Sequence, residues 1–129
     1  MRHRIGGVIA ASMLLASCST YGDIRAKQPA QVQVVQGRDA SKLADCVIDK
    51  LQIKFGTGGF GGSVAWHKSQ DRATAHVSET DEAGFHWDLA LTPTSNGMRA
   101  ELRSLTTIWG TLQAPPDIWQ MTRSCGATV

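Results

Sequence analysis

The chain is poor in the features that declare common functions. No stretch is apolar for the roughly 20 residues a membrane-spanning helix needs. The longest uncharged apolar run, Ile5 to Ala16, covers about 12 residues, so a conventional transmembrane anchor is not expected. Long blocks of like charge are missing too, and with them the clustered basic footprint on which nucleic-acid binding rests. The three cysteines form no C-x-x-C pair and have no histidine close in sequence, which argues against a dithiol redox motif or a zinc ribbon. There is no G-x-S-x-G elbow for a nucleophilic serine. The glycine-rich run Phe55 to Gly62 (FGTGGFGG) has no lysine and leads into a strand-like segment, so it reads as a hinge rather than a phosphate-binding loop. The aspartates are scattered, with no paired carboxylates that can be placed across a cleft. An enzyme is not expected.

The N-terminus is more explicit. Arg2 and Arg4 precede the apolar run, giving the basic and hydrophobic regions of a secretory signal. The run ends in Leu15-Ala16-Ser17-Cys18, a branched apolar residue, two small ones and a cysteine. This resembles the lipobox of bacterial lipoproteins. The resemblance implies lipid attachment to the Cys18 sulfur, with palmitate among the acyl chains, and cleavage just before it. Ser19, where many inner-membrane lipoproteins carry aspartate, implies the outer membrane. The expected organisation is a signal peptide over 1–17, a flexible tether over 18–38 and one periplasmic domain over 39–129. With several tens of buried CH₂ groups at about 0.8 kcal/mol each, such an anchor does not release spontaneously.

Processing changes the apparent charge. Of 13 Lys+Arg, Arg2 and Arg4 leave with the signal, so 11 remain against 11 Asp+Glu. Once Cys18 is lipidated, Cys46 and Cys125 remain, an even pair best read as one disulfide in an oxidising compartment. It would close a loop of about 80 residues and so remove that loop's freedom from the unfolded chain.

Along the mature chain, the polar, glutamine-rich segment to Gly37 reads as tether, with Val32, Val34 and Val35 a weak strand signal. Asp39 offers an N-cap, and Ala40, Leu43, Ala44, Val47, Ile48 and Leu51 recur at helical spacing to about Gln52. The period then changes to two. Val64 and Trp66 share a face, as do Ala73, Ala75 and Val77; Phe85, Trp87, Leu89 and Leu91; and Met98, Ala100 and Leu102. Asn96-Gly97 is a hairpin signal. A final short helix is expected after Pro116, burying Ile118, Met121, Thr122 and Cys125 and ending at Gly126. The expected fold is a two-layer α+β sandwich, α-β-β-β-β-α: a four-stranded antiparallel meander with both helices on one face and the other face solvated.

That solvated face is where chemistry is looked for. His67, His76 and His86 all alternate against core residues. A Gln70-Asp71 turn would set His67 opposite Thr74. A five-residue second loop would pair Val77 with Trp87, His76 with Asp88 and His86 with Ser78. His67, His76, His86 and Asp88 are thus the candidate ligands for zinc or copper, on a face that would also carry Lys68, Thr74, Ser78, Arg99, Glu101 and Arg103. Trp109 and Trp119, in the C-terminal segment, are candidate anchors for a protein partner. The sequence favours a non-catalytic binding or assembly module in the cell envelope, lipid-anchored, with an envelope protein as partner, no nucleic acid and no cofactor beyond the lipid. Its alternatives are a periplasmic metal-binding lipoprotein and an inhibitor or immunity lipoprotein against an envelope-directed toxin or hydrolase.

Overall fold

A computed structural model describes residues 30–56, 65–81, 84–107 and 110–129. Cys18 with the signal segment, the glycine run beyond Gly56, Val64 and Trp109 lie outside the described residues. The first regular element is β1 (Gln31–Val35), followed by helix α1 (Ala40–Phe55). Asp39 caps α1 by accepting from the Lys42 amide at 3.0 Å, and the side chains of Ala40, Leu43, Ala44, Val47 and Leu51 are buried along one stripe, as their spacing predicts. The helix runs on to Phe55 and stops at Gly56, whose φ of 81° few side chains tolerate.

Strands β2 (Ala65–Asp71), β3 (Thr74–Asp81), β4 (Gly84–Thr94) and β5 (Gly97–Thr107) form the expected meander, with a short β6 (Gly110–Leu112) and helix α2 (Ile118–Gly126) after it. Two points correct the expected fold. The sheet has five strands in the order β1-β5-β4-β3-β2, not four, and off that order β6 pairs with the far end of β5. The added strand is β1, drawn from the segment expected to serve as tether. It pairs antiparallel with β5 from Gln31↔Leu102 to Val35↔Met98. Its glutamines are strand residues with partners on α2. Gln31 accepts from the Trp119 indole at 3.3 Å and Gln33 from the Arg123 guanidinium at 3.0 Å, so both tie β1 to α2.

The registers also differ from expectation, by four residues between β2 and β3 and by two between β3 and β4. Asp71 pairs with Thr74, so the β2–β3 turn is Arg72-Ala73 rather than Gln70-Asp71, and His67 stands opposite Ser78. Val77 pairs with Leu89, His76 with Ala90 and Ser78 with Asp88, with an irregularity between Glu79 and Thr80. A slip by an even number of residues leaves the alternation of each strand intact. Ala75, Val77, Trp87, Leu89, Leu91, Met98, Ala100 and Leu102 are therefore buried as predicted although their cross-strand partners change, whereas Ala73, expected on the core face, falls in the turn and is exposed.

One layer of the core comes from the sheet: Ala75, Val77, Trp87, Leu89, Leu91, Met98, Ala100 and Leu102. The helices supply the other, and Leu43, Val47, Leu51, Ile118 and Cys125 are essentially inaccessible. Each fully buried large apolar side chain contributes about 1.5–3 kcal/mol. The Cys46–Cys125 disulfide links the two helices, with Cα atoms 5.8 Å apart. Gly126 marks a second tight junction, since a Cβ there would lie 2.2 Å from the Gln36 carbonyl oxygen.

Candidate functional site

The sheet face opposite the helices is not the solvated surface the alternation suggested. His76, Ser78, Asp88 and Ala90 at its centre are all buried. Register sets Ser78, Asp88 and Arg103 side by side on β3, β4 and β5. The Asp88 carboxylate accepts from the Ser78 hydroxyl at 2.8 Å and lies 3.3 Å from His76 Nδ1 on the diagonal. Ala90, directly across from His76, leaves the imidazole room to lean that way. The carboxylate is the hub, so the Ser78 hydroxyl is hydrogen-bonded to Asp88 and not to an imidazole. Satisfying a buried carboxylate with two donors is what makes its burial tolerable.

Beside this trio, Glu101 is gripped by Arg99 Nε at 2.8 Å and Arg103 Nη2 at 2.9 Å. Burial pushes the Glu101 carboxyl upward, but hydrogen bonds from Arg103 and Arg99, with their charges, outweigh it and hold the group below its ordinary value. The other nitrogens of Arg103, Nε and Nη1, are buried with no hydrogen-bond partner among the described residues.

Of the four candidate metal ligands, His76 and Asp88 are brought together. His67 is exposed on β2 and His86 is half-buried. Among the described residues no group of three or more His, Cys, Asp or Glu side chains converges as a metal site would require. Lys68, expected on this face, is on the helix side, where it reaches Ser41 Oγ at 2.7 Å and Asp45 Oδ1 at 2.9 Å. Trp119 is half-buried, and its N–H is committed to Gln31.

A concave site lies instead at the end of the sandwich where α1, β2, β3 and the segment before α2 meet. It is a cleft of about 360 Å³ whose lining includes Phe55, Trp66, Glu79, Ala114, Pro115 and Pro116. The sheet fixes its floor. Trp66, Glu79 and Trp87 are register neighbours on β2, β3 and β4, which puts a carboxylate between two indoles on the core-facing side. The Trp87 indole N–H donates to Glu79. The Trp66 indole N–H donates to the Gly56 carbonyl at 2.9 Å, closing the end of α1 onto β2.

Phe55, Trp66 and Trp87 form a tilted aromatic series with centroids 6.2 and 6.3 Å apart, a spacing typical of favourable ring pairs. At the rim the Lys54 ammonium lies 5.5 Å from the Phe55 ring centroid and pairs with Asp117. The hydrogen bond from Lys54, helped by its charge, holds the Asp117 carboxyl below its ordinary value. Alternation alone places the two tryptophans on the core face but gives Glu79 no role. Extending the alternation of Ala75 and Val77 by one step would have placed it between them.

No family model, no curated protein and no solved structure matches this chain. No helix among the described residues is long and apolar enough to cross a membrane.

Proposed function

We propose that this chain is a bacterial lipoprotein, anchored through Cys18 in the outer membrane, whose periplasmic domain is a non-catalytic module that holds an envelope protein. The observation that carries the binding role is the cleft. Its aromatic walls are locked by hydrogen bonds and packing before any partner arrives, so little side-chain freedom remains to be lost on binding. The anchor rests on the Leu15-Ala16-Ser17-Cys18 pattern. The Cys46–Cys125 bridge supports an oxidising compartment, because such bonds persist outside the cytosol. The buried Ser78–Asp88–His76 trio fits a scaffold role in this reading, fixing β3 to β4 behind the cleft.

The test is capture from detergent-solubilised envelopes with the full-length lipidated chain, using Cys18→Ala as control. A defined envelope protein retained by the wild type above that control is the expected result. Mass spectrometry should find the acylated Cys18 as the first residue of the mature chain. Recovery of nothing above the control overturns the binding role, and an unmodified Cys18 overturns the anchor.

A further inference from the structure

We infer that the cleft between α1 and β2 receives an arginine side chain presented by a polypeptide partner. The inference rests on the binding-module reading and names what that module recognises.

Charge comes first. Glu79 is the one charged side chain among the described residues lining the cleft, set against Phe55, Trp66, Ala114 and two prolines, with the neutral amide of Gln113 the other polar side chain there. An anion would meet a carboxylate there. A hydrocarbon would strip water from that carboxylate and return nothing, a cost on the order of several kcal/mol for a buried charge. An organic cation satisfies both the wall and the floor, since ring faces and a carboxylate attract the same group.

The hydrogen-bond inventory narrows this further. Both indole donors near the cleft are spent, Trp66 on the Gly56 carbonyl and Trp87 on Glu79. What Trp66 offers a ligand is therefore its ring face. Glu79 uses Oε2 for the Trp87 indole, and Oε1 accepts no hydrogen bond from the described residues. The fold already places one cation against this aromatic series, the Lys54 ammonium over Phe55. That charge is matched by Asp117, and no cation among the described residues forms an ion pair with Glu79.

Shape and chemistry then select among cations. A volume of about 360 Å³ is near the lower end for ligand pockets, roughly 300–1,000 Å³, and suits one elongated side chain better than a folded element. Ala114, Pro115 and Pro116 give an apolar wall for methylene groups. Guanidinium is planar, stacks on indole and is more weakly hydrated than ammonium, so it gains more from an apolar slot with a single carboxylate.

The experiment titrates the purified, oxidised domain with the blocked pentapeptide Gly-Ala-Arg-Ala-Gly and follows the indole N–H resonances of Trp66 and Trp87. Saturable shifts of both are expected. Replacing arginine by citrulline, which keeps the shape and loses the charge, should weaken binding about tenfold, as should Glu79→Gln. Glu79→Gln keeps an acceptor for the Trp87 indole, so unchanged unfolding of that variant separates lost recognition from lost structure. Equal binding of the citrulline and arginine peptides overturns the inference. So does tighter binding of the lysine peptide, or an arginine peptide that moves neither indole. In the envelope capture, a partner retained equally by Glu79→Gln overturns the cleft assignment while leaving the binding role intact. Peptide binding without any captured partner removes that role and leaves the cleft chemistry standing.

Discussion

Opening the Cys46–Cys125 bridge should cost this domain a large share of its stability. The bond joins residues 79 apart in sequence. In the chain-entropy account a loop of that size removes about 4.5 kcal/mol of freedom from the unfolded chain at 25 °C. Small domains have only about 5–15 kcal/mol in total. Cys125 is fully buried and Cys46 packs against the core cluster, so Cys46→Ala/Cys125→Ala adds a small cavity loss in the same direction. Urea unfolding followed by tryptophan fluorescence, on oxidised protein, on reduced protein and on the double variant, measures the difference directly. The expected loss is about 3–5 kcal/mol, equivalent to a fall in Tm of about 15–30 °C for a domain of this size. A loss below about 1 kcal/mol in both the reduced protein and the variant would refute the reasoning. It would mean that α2 docks through Ile118, Met121 and Thr122 well enough that tethering it adds nothing.

The polar face yields a second expectation. Asp88→Ala leaves the Ser78 and His76 donors without their shared acceptor and should destabilise the fold by about 2–4 kcal/mol in chemical denaturation, with Asp88→Asn costing less. The glycines give a contrast: a Cβ at Gly126 would meet the Gln36 carbonyl oxygen at 2.2 Å, whereas one at Gly56 meets nothing within 4 Å. Gly56→Ala should therefore cost only the backbone strain of its φ of 81° and ψ of 174°, about 1–3 kcal/mol. Gly126→Ala should shift Tm by considerably more, and equal shifts would refute the close approach. Acid supplies the last test. Glu101 has a folded-state acidity below its ordinary value of 4.5, so its contribution is complete above that value and is lost as pH falls through the lower one. Thermal melting should be level from neutrality to about pH 5 and fall below it, more shallowly in Glu101→Gln; Asp117 acts in the same direction through Lys54.

Much of the architecture was legible because period-two and helical patterns report faces, and faces survive errors of register. Met98, Ala100 and Leu102, or Leu43, Val47 and Leu51, needed only local alternation to be placed. Partners across strands needed the turn positions, and Arg72 at φ 56° is a residue that no turn rule selects over Gln70-Asp71. β1 was obscured by composition. Gln31 and Gln33 look like linker residues until α2 supplies donors for them, and those donors are about 90 residues away in sequence. The buried state of His76, Ser78 and Asp88 was hidden for a related reason. Alternation tells which side a residue takes, while burial of that side depends on everything packed around it. The cleft required two long-range facts at once, the neighbouring of Trp66, Glu79 and Trp87 and the approach of residues 113–116 to the end of α1.

The bridge between the helices also sets a mechanical limit. Phe55, Trp66, Glu79, Pro115 and Pro116 all fall between Cys46 and Cys125, inside the covalently closed loop, whereas β1 lies outside it on the N-terminal side. Tension entering at Gln31 meets the five β1–β5 pairs first and then α1 as far as Cys46. Beyond that point extension is stopped by a covalent bond. The chain can release about 15 residues, roughly 50 Å of length, while the cleft stays enclosed. β1 is thereby the element that yields under load, and the loop behind the disulfide is the part that stays closed.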